Sequence, residues 1–186
     1  MKEIIQSKIK LPEDVYQIFL ASARKKEAPK NRMLFQPDNV SRKCLFITDG
    51  ILRGYKIIDG KDHTHHFFTP NWFATDYQSF LSDSPGSLYI ESLTEIKYFE
   101  FDREVLYNLY ETYHELEKLG RIIAENAYLV TVKKFSEIQT LDLKARYKNL
   151  VKNDPQLFQN VPQKYIASYL GVSEQSLSRI KKELIS

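Results

Sequence analysis

The sequence predicts an α+β protein with an antiparallel β-sandwich or barrel as its body and a helical C-terminal part. Between Met33 and Phe101, short strand-like runs alternate with turn signals at a spacing of roughly ten residues. After Asp102 the apolar residues recur at the three-to-four spacing of α-helices. A length of 186 residues allows one large or two small domains.

The first predicted element is a short helix near the N-terminus. Pro12 suits a first helical position, and Val15, Ile18 and Phe19 form one apolar stripe after it. The basic and polar stretch 24–31 shows no regular pattern. We therefore predict a short helix that starts at Leu11-Pro12 and ends in this basic stretch.

Six strands and one short helix are predicted in the body. The pairs Asp49-Gly50 and Asp59-Gly60 supply the left-handed backbone that a tight hairpin requires. Tyr77, Phe80 and Leu81 share a face, which predicts a helix over 75–81. The predicted strands are Met33–Phe35, Cys44–Thr48, Leu52–Ile58, His63–Phe68, Ser87–Leu93 and Glu95–Phe101.

A long helix of about 28 residues is predicted over 111–138, after a helical start at Asp102. Its combined apolar surface is too wide for one small sheet to cover. We expect one side to pack on the β body and the other on the same helix of a second subunit, and a monomer with a folded-over helix is the alternative. The main stripe, the predicted dimer helix surface, consists of Leu116, Leu119, Ile123, Ala127 and Val130; a flanking stripe consists of Ile122, Leu129, Phe135 and Ile138.

Charge is distributed unevenly along the chain. Residues 140–186 hold eight Lys/Arg against four Asp/Glu, whereas residues 1–139 are nearly balanced. A neutral body followed by a basic C-terminal part is typical of a protein whose C-terminal part binds a polyanion. The alternative is that these basic residues form a solvated helical face. The single cysteine, Cys44, excludes an intrachain disulfide and is expected to be buried. Without a signal-peptide pattern or a membrane-length apolar run, the expected location is the cytoplasm.

The segment from Val161 to Leu184 predicts a helix, a short turn and a second helix. Ala167 is small where a second helix must cross closely, and Gly171 stands where the first helix must end in a left-handed residue. Ser173 is expected to cap the second helix. Ile166, Ala167 and Leu170 form the inner face of the first helix, and Leu177, Ile180 and Leu184 that of the second.

The exposed side of the second helix predicts DNA binding. Arginine recognises guanine, glutamine recognises adenine and glutamate accepts from cytosine, whereas Lys181 or Lys182 suits phosphates. The alternative is a ligand-binding or scaffold protein whose helical tail docks on a protein partner. The residues predicted to contact DNA are Gln163, Ser173, Glu174, Gln175, Ser178, Arg179 and Lys182.

These parts, in this order, resemble the bacterial superfamily of the cyclic-AMP receptor protein and the fumarate-and-nitrate-reduction regulator (the CRP/FNR superfamily). The resemblance is strongest in the C-terminal segment 163–183 and at the two Asp-Gly pairs. It implies a jelly-roll, cyclic-nucleotide-binding-like sensor domain over 1–110, a dimerisation helix over 111–138 and a helix-turn-helix domain over 139–186. Glu174, Gln175 and Arg179 match positions that contact bases, and of these only the arginine keeps the residue type.

Two departures from the superfamily pattern change the expectation. The nucleotide pocket holds a Gly-Glu pair and an Arg followed by Ser or Thr, whereas this chain has Thr75-Asp76 and Gly86-Ser87. Loss of the arginine removes the bidentate anchor of the cyclic phosphate, so cyclic AMP and cyclic GMP are not expected to bind in the usual way. The aromatic residues of the body are expected in the core, although some could instead line a pocket for another ligand. The second departure is that Ser186 directly follows the second helix, so we expect no full wing.

Metal and catalytic chemistry are not predicted. His63 and His65 share a strand face, yet no nearby acid and no suitable fourth ligand completes a metal site, so we expect solvent-facing histidines. No nucleophile–base–acid spacing, phosphate loop or dinucleotide motif is present, and therefore no enzyme and no cofactor are expected. The predicted protein is a homodimeric DNA-binding transcription regulator that recognises a palindromic operator, with either an unknown small-molecule effector or none.

Overall fold

The computed structural model describes residues 1–185. The α+β fold has antiparallel sheets followed by a helical C-terminal part, as predicted. The strands are β1 Arg24–Ala28, β2 Met33–Phe35, β3 Lys43–Asp49, β4 Leu52–Ile58, β5 Lys61–Phe68, β6 Phe73–Ala74, β7 Tyr89–Ser92 and β8 Ile96–Asp102. The helices are α1 Lys2–Gln6, α2 Glu13–Ala21, α3 Tyr77–Ser82, α4 Arg103–Thr112, α5 His114–Thr140, α6 Leu143–Asn153, α7 Leu157–Asn160, α8 Gln163–Leu170 and α9 Glu174–Ile185.

The strands form two four-stranded sheets. One has the order β1-β8-β3-β6 and the other the order β2-β7-β4-β5. Strand β8 is central in the first sheet and pairs antiparallel with both β1 and β3, with Arg24 and Leu45 each opposite Glu100. The register between β3 and β8 shifts between Ile47 and Asp49.

Strand β3 is apolar on both faces because two layers of core cover it. Cys44 and Phe46 pack in a cluster with the N-terminal helices, whereas Leu45 and Ile47 pack in a second cluster with residues from both sheets. All four side chains are buried. Strict alternation of polar and apolar residues is therefore absent from β3, as in strands that are covered on both sides.

Strand β1 lies in the stretch for which the sequence predicted no element. Four of its five residues are exposed, so it lacks the apolar pattern that marks a strand. Its backbone pairs with β8, while Arg24 and Lys26 reach the buried carboxylate of Glu100 at 3.1 and 2.8 Å. The strand forms because a neighbouring strand offers both a backbone ladder and an acidic partner.

The two Asp-Gly pairs play different parts. Asp59 and Gly60 both have positive φ, 51° and 72°, and join the neighbouring strands β4 and β5 as predicted. Asp49-Gly50 instead connects β3 and β4, which lie in different sheets, so the hairpin predicted there is wrong. A Cβ on Gly50 would overlap the carbonyl oxygen of Glu95, and this close approach requires glycine.

The helical run after Asp102 is interrupted once. Asp102 caps α4 by accepting from the amide of Glu104 at 3.0 Å. Tyr113 is extended, with φ −124° and ψ 105°, so the long helix α5 begins at His114 instead of residue 111. Ile18, placed on the inner stripe of α2 by its spacing, is partly exposed, and Tyr16 is buried instead.

The chain divides into two compact units. One contains Met1–Gly54 and Phe67–Tyr128, and the other contains Tyr55–His66 together with the chain from Leu129 onward. The division falls inside α5 and across the β4-β5 hairpin, so packing does not follow the predicted boundaries at 110 and 138. No helix within residues 1–185 combines the length and the apolar character needed to cross a membrane.

Candidate nucleic-acid interface

Helices α8 and α9 form a helix-turn-helix unit around a left-handed glycine. Gly171 has φ 73° and ψ 33°, and, apart from its chain neighbours, no atom of residues 1–185 lies within 4 Å of the Cβ that another residue would carry there. Its role is therefore the backbone conformation that ends α8. Ser173 then caps the start of α9, since its hydroxyl accepts from the amide of Ser176 at 3.2 Å. Both capping expectations agree with this geometry.

The inner faces of the two helices are apolar as the spacing predicted. Ile166, Ala167 and Leu170 of α8 and Leu177 of α9 are all buried. Ala167 has an accessible fraction of 1%, which leaves no room for a larger side chain where the helices meet. Ile180 is only half-buried.

The outer face of α9 carries an exposed set of polar and charged side chains. Glu174 begins the helix and Lys182 lies in its last turn. No other described element covers this set in the single chain, and a ligand approaching α9 would meet both hydrogen-bond donors and acceptors. The exposed predicted contact residues are Ser173, Glu174, Gln175, Ser178, Arg179 and Lys182.

Gln163 is half-buried, unlike the other predicted contact residues, and its side chain bonds from α8 to α9. Its Nε2 donates to the hydroxyl of Ser178 at 2.8 Å, and its Oε1 accepts from Lys181 Nζ at 3.5 Å. Gln163 at the start of α8 thereby ties two side chains of α9. The sequence predicted that Gln163 contacts DNA. Its bonds to Ser178 and Lys181 depend on how α8 and α9 pack together.

Arg146 is a positioning residue that the sequence reasoning missed. Its Nη1 donates to the carbonyl oxygen of Leu170 at 3.1 Å, so the guanidinium satisfies a free carbonyl at the C-terminal end of α8. Nearby, Lys144 pairs with Glu183 of α9 at 3.8 Å. Helix α6 therefore contacts both helices of the helix-turn-helix unit through basic side chains.

The tip of the β4-β5 hairpin lies in the same compact unit and holds α8. Ser168 Oγ accepts from the amide of Thr64 at 2.9 Å and donates to the carbonyl oxygen of Asp62 at 3.3 Å. His63 and His65 are exposed on this hairpin, as expected for solvent-facing strand histidines. The serine in α8 gave no sequence signal for this bond because its partners are backbone atoms about 100 residues away.

Lys134 of α5 reinforces the same contact. Its ammonium donates to the carbonyl oxygen of His65 and lies 4.1 Å from the centre of the Tyr169 ring. Burial lowers the pKa of Lys134 to about 8. Burial also lowers the pKa of the neighbouring His66 to about 4, with smaller contributions from Lys134 and His65. The hairpin tip, the end of α5 and α8 are thus joined by hydrogen bonds.

The predicted degenerate ligand residues form an internal clasp in the first unit. Asp76 is buried, and its Oδ2 accepts from the amides of Ser87 and Leu88 at 2.9 and 3.0 Å. Its Oδ1 accepts from Ser79 at 3.3 Å and caps α3. Thr75, also buried, donates to the carbonyl oxygen of Lys43.

Gly86 completes this clasp. A Cβ there would lie 2.5 Å from Asp76 Oδ2, so the glycine allows the carboxylate to approach the loop. Asp76 and Gly86, the two pocket positions at which the sequence differs from the superfamily pattern, are therefore linked, because Asp76 packs against Gly86. This position has no cationic side chain to bind a cyclic phosphate. The backbone amides of Ser87 and Leu88 beside it already donate to Asp76.

The predicted dimer stripe on α5 is only partly available to another chain. Leu116 and Leu119 are buried in the core of their own subunit, and Ile123 packs against the same cluster, which corrects their assignment to a dimer surface. Ala127 is half-buried and Val130 is exposed. The large apolar side chains that α5 exposes lie in its C-terminal half: Tyr128, Leu129, Val130, Val132, Phe135 and Ile138.

Comparison with known proteins identifies the fold. No family model and no curated protein sequence matches the chain. The c-di-GMP-responsive global regulator CLP of Xanthomonas campestris matches in structure with a TM-score of 0.72 and 18% identity, over 93% of this chain and 91% of that one. FixK2 of Bradyrhizobium japonicum matches with a TM-score of 0.75 and 16% identity, over 87% and 84%.

A third solved structure carries the family name. A regulator assigned to the CRP/FNR family from Eubacterium rectale matches with a TM-score of 0.71 and 12% identity, over 93% of this chain and 83% of that one. At these identities the likeness concerns the fold. The chain has the cyclic-nucleotide-binding-like fold of the CRP/FNR regulators, including their C-terminal helix-turn-helix.

Proposed function

We propose that this protein is a transcription regulator that binds a palindromic operator as a homodimer through α9. The observation that carries the proposal is the arrangement of α9: its apolar side is buried through Leu177, while Gln175 and Arg179 are exposed on the outer side. They lie four residues apart and therefore on one helical face. Such a face fits the major groove, where base edges are distinguishable.

Each exposed side chain has a role in this proposal. Arg179 reads a guanine through its O6 and N7 atoms, Gln175 reads an adenine, and Glu174 accepts from a cytosine. Lys182 binds a phosphate without reading sequence. Gln163 acts on the protein side, because its bonds to Ser178 and Lys181 orient that part of α9. Arg146 and Ser168 set α8 and act only indirectly on the DNA contact.

The proposed dimer uses the C-terminal half of α5. Tyr128, Val132 and Phe135 are exposed and follow the i, i+4, i+7 spacing of one helical stripe. Burying this stripe against its symmetry mate removes apolar surface from water in a two-fold, self-complementary contact. A two-fold dimer presents two α9 helices, which must lie about 34–36 Å apart to enter successive major grooves.

The body is proposed to bias the spacing of these helices in response to an effector other than a conventionally bound cyclic nucleotide. The clasp of Asp76, Gly86 and Ser87 supports this part of the proposal, because its polar groups are already paired. A signal can act only through different affinities for two arrangements of the dimer.

A binding experiment with the full-length chain tests the proposal. Genome-wide footprinting supplies the bound sites, and the best site is then measured by fluorescence anisotropy at several salt concentrations. Arg179→Ala should lose about 1–3 kcal/mol of specific binding and relax one base position. Lys148→Ala, which removes an exposed charge from α6, is the control and should retain sequence preference.

Two results would overturn the proposal. The first is the absence of any palindromic site in the footprint. The second is binding that Arg179→Ala leaves unchanged or that shows no fall with rising salt, since counterion release makes DNA binding strongly salt-dependent. Salt-insensitive association with a protein would instead support a tail that docks on a partner.

A further inference from the structure

A cleft of about 550 Å³ lies in the first unit, and its lining residues include none from α9. It opens between strand β1, the segment 32–43 and the start of α4. Its lining includes Asp76 but not Thr75, Gly86 or Ser87, so it differs from the predicted degenerate nucleotide position. The volume is in the range of small-molecule sites. Its cationic lining residues are Arg24, Arg32, Arg42 and Lys43.

The cleft carries excess positive charge. Its two carboxylates, Asp76 and Asp102, are both engaged with backbone amides. Arg24 and Lys43 face the single carboxylate of Glu100, at 3.1 and 3.6 Å. Lys26 shares this carboxylate as well, so three cations meet one anion and a net positive charge is left.

Arg32 is the cation most available to a ligand. It is exposed, and its guanidinium forms no hydrogen bond or ion pair with any residue in the described range 1–185. Arg42 pairs with two exposed carboxylates, at 3.4 Å to Glu104 and 3.7 Å to Asp83. An anion of higher charge can therefore recruit both guanidinium groups without breaking a buried interaction.

The remaining lining supplies neutral donors and an apolar wall. Gln36 and Asn39 are exposed amides on the segment between β2 and β3. Phe35 and Val40 provide apolar surface, and Lys43 Nζ lies 5.2 Å from the centre of the Phe35 ring. This combination of guanidinium forks, amides and an apolar wall suits an organic molecule that carries phosphate.

We propose that this cleft is a binding site for a phosphorylated small molecule, with Arg32 and Arg42 on the phosphate and the Phe35 side on the organic part. The site is separate from the proposed DNA-binding face. A variant that loses DNA binding should therefore still bind this ligand. A variant that loses ligand binding should still bind DNA.

Isothermal titration of the full-length protein with inorganic phosphate, inorganic pyrophosphate and adenosine 5′-monophosphate tests the site. Saturable binding of at least one probe is expected. Arg32→Gln should weaken it by about tenfold to a hundredfold, the size of a charge-assisted hydrogen-bond contribution. Arg42→Gln is the second variant and should also weaken it.

Two controls separate this site from general charge effects. Lys25→Gln removes an exposed charge one residue from Arg24 on the opposite face of β1, and Lys148→Gln removes one from α6. Both should leave the affinity for the probe within about twofold, because neither residue lines the cleft. The proposal is overturned if no probe saturates the wild type, or if Lys25→Gln weakens binding as much as Arg32→Gln does.

Discussion

Asp76 Oδ2 accepts from the amide of Ser87 at 2.9 Å, so a side chain at the predicted ligand position ties two segments of the protein's own backbone. Leu88 donates to the same oxygen at 3.0 Å, and Gly86 leaves the space that this approach requires. The carboxylate thus stabilises the loop before β7. Asp76 therefore has a structural role at this position. This role is testable by measuring protein stability and ligand binding.

Asp76→Ala should destabilise the protein. The substitution leaves the amides of Ser79, Ser87 and Leu88 without their acceptor, and we expect a loss of about 2–4 kcal/mol in the free energy of unfolding. Urea denaturation followed by circular dichroism measures it. Asp14→Ala, an exposed carboxylate on α2, is the control and should change stability by less than about 0.5 kcal/mol. Equal effects of the two substitutions would contradict the clasp.

Cyclic AMP and cyclic GMP should not bind in the manner of the superfamily. The resemblance to the superfamily implies Gly86 at the position of the phosphate-anchoring arginine, and the amides of Ser87 and Leu88 already donate to Asp76. Titration calorimetry with each nucleotide should therefore give no saturable heat in the micromolar range. Micromolar binding that disappears in Ser87→Ala would show that the position still recognises a cyclic phosphate.

Gln163→Ala should reduce DNA affinity several-fold through the orientation of α9. Its amide donates to Ser178 at 2.8 Å and accepts from Lys181. Anisotropy on the footprinted site measures the effect, and Gln159→Ala, an exposed glutamine on α7, should bind normally. Ser178→Ala combined with Gln163→Ala should show clear non-additivity, because the two side chains share one interaction. Strictly additive losses would mean that the two residues act independently.

Phe135→Glu should dissociate the proposed homodimer. Phe135 is exposed in the single chain and lies on the stripe with Tyr128 and Val132, so a charge there would be buried without a partner in the dimer. Light scattering after size-exclusion chromatography measures the mass. Lys133→Glu introduces the same residue about 200° away around the helix and should remain dimeric. A dimer that survives Phe135→Glu would place the interface elsewhere.

The free energy of unfolding should carry a contribution from Lys134 at alkaline pH. Burial lowers the pKa of Lys134 from 10.5 to about 8, so between these values the unfolded state binds more protons than the folded state. The contribution of Lys134 to the free energy of unfolding therefore rises with pH between about 8 and 10.5. It is lost as the pH falls through about 8. Urea denaturation at pH 8 and 10 should show this rise in the wild type and its absence in Lys134→Met.

Lys133→Met is the matched control for this pH effect. Lys133 is the exposed neighbour of Lys134, and its substitution should preserve the wild-type difference between the two pH values. If Lys134→Met and the wild type respond identically, the buried ammonium near His65 and Tyr169 does not govern the response.

Local patterns were enough to predict the helix-turn-helix unit. Gly171 has the left-handed conformation predicted for it, Ser173 caps α9, and Leu177 is buried. Each property depends on residues within a few positions in the chain, such as the steric freedom of glycine and the helical spacing of apolar residues. The strand β3 was predicted for the same reason, since four consecutive apolar residues form its centre.

Features that depend on distant partners were not predictable. The polar strand β1 forms because β8 provides a ladder and Glu100 provides a counter-charge. Leu116 has the spacing of a dimer stripe, but the folded chain buries it in its own core.

The sequence alone determined most of the helical and extended segments, where the helix-turn-helix turns and which side of α9 is polar, because these properties arise from neighbours along the chain. Only the tertiary structure decided that Asp76 accepts hydrogen bonds from a loop, that Gln163 donates to Ser178 and that part of the α5 stripe is buried in the core. The sequence shows the same carboxylate or amide whether that group binds a ligand or a backbone atom. Its partner is chosen by the packing that brings remote atoms within hydrogen-bond distance.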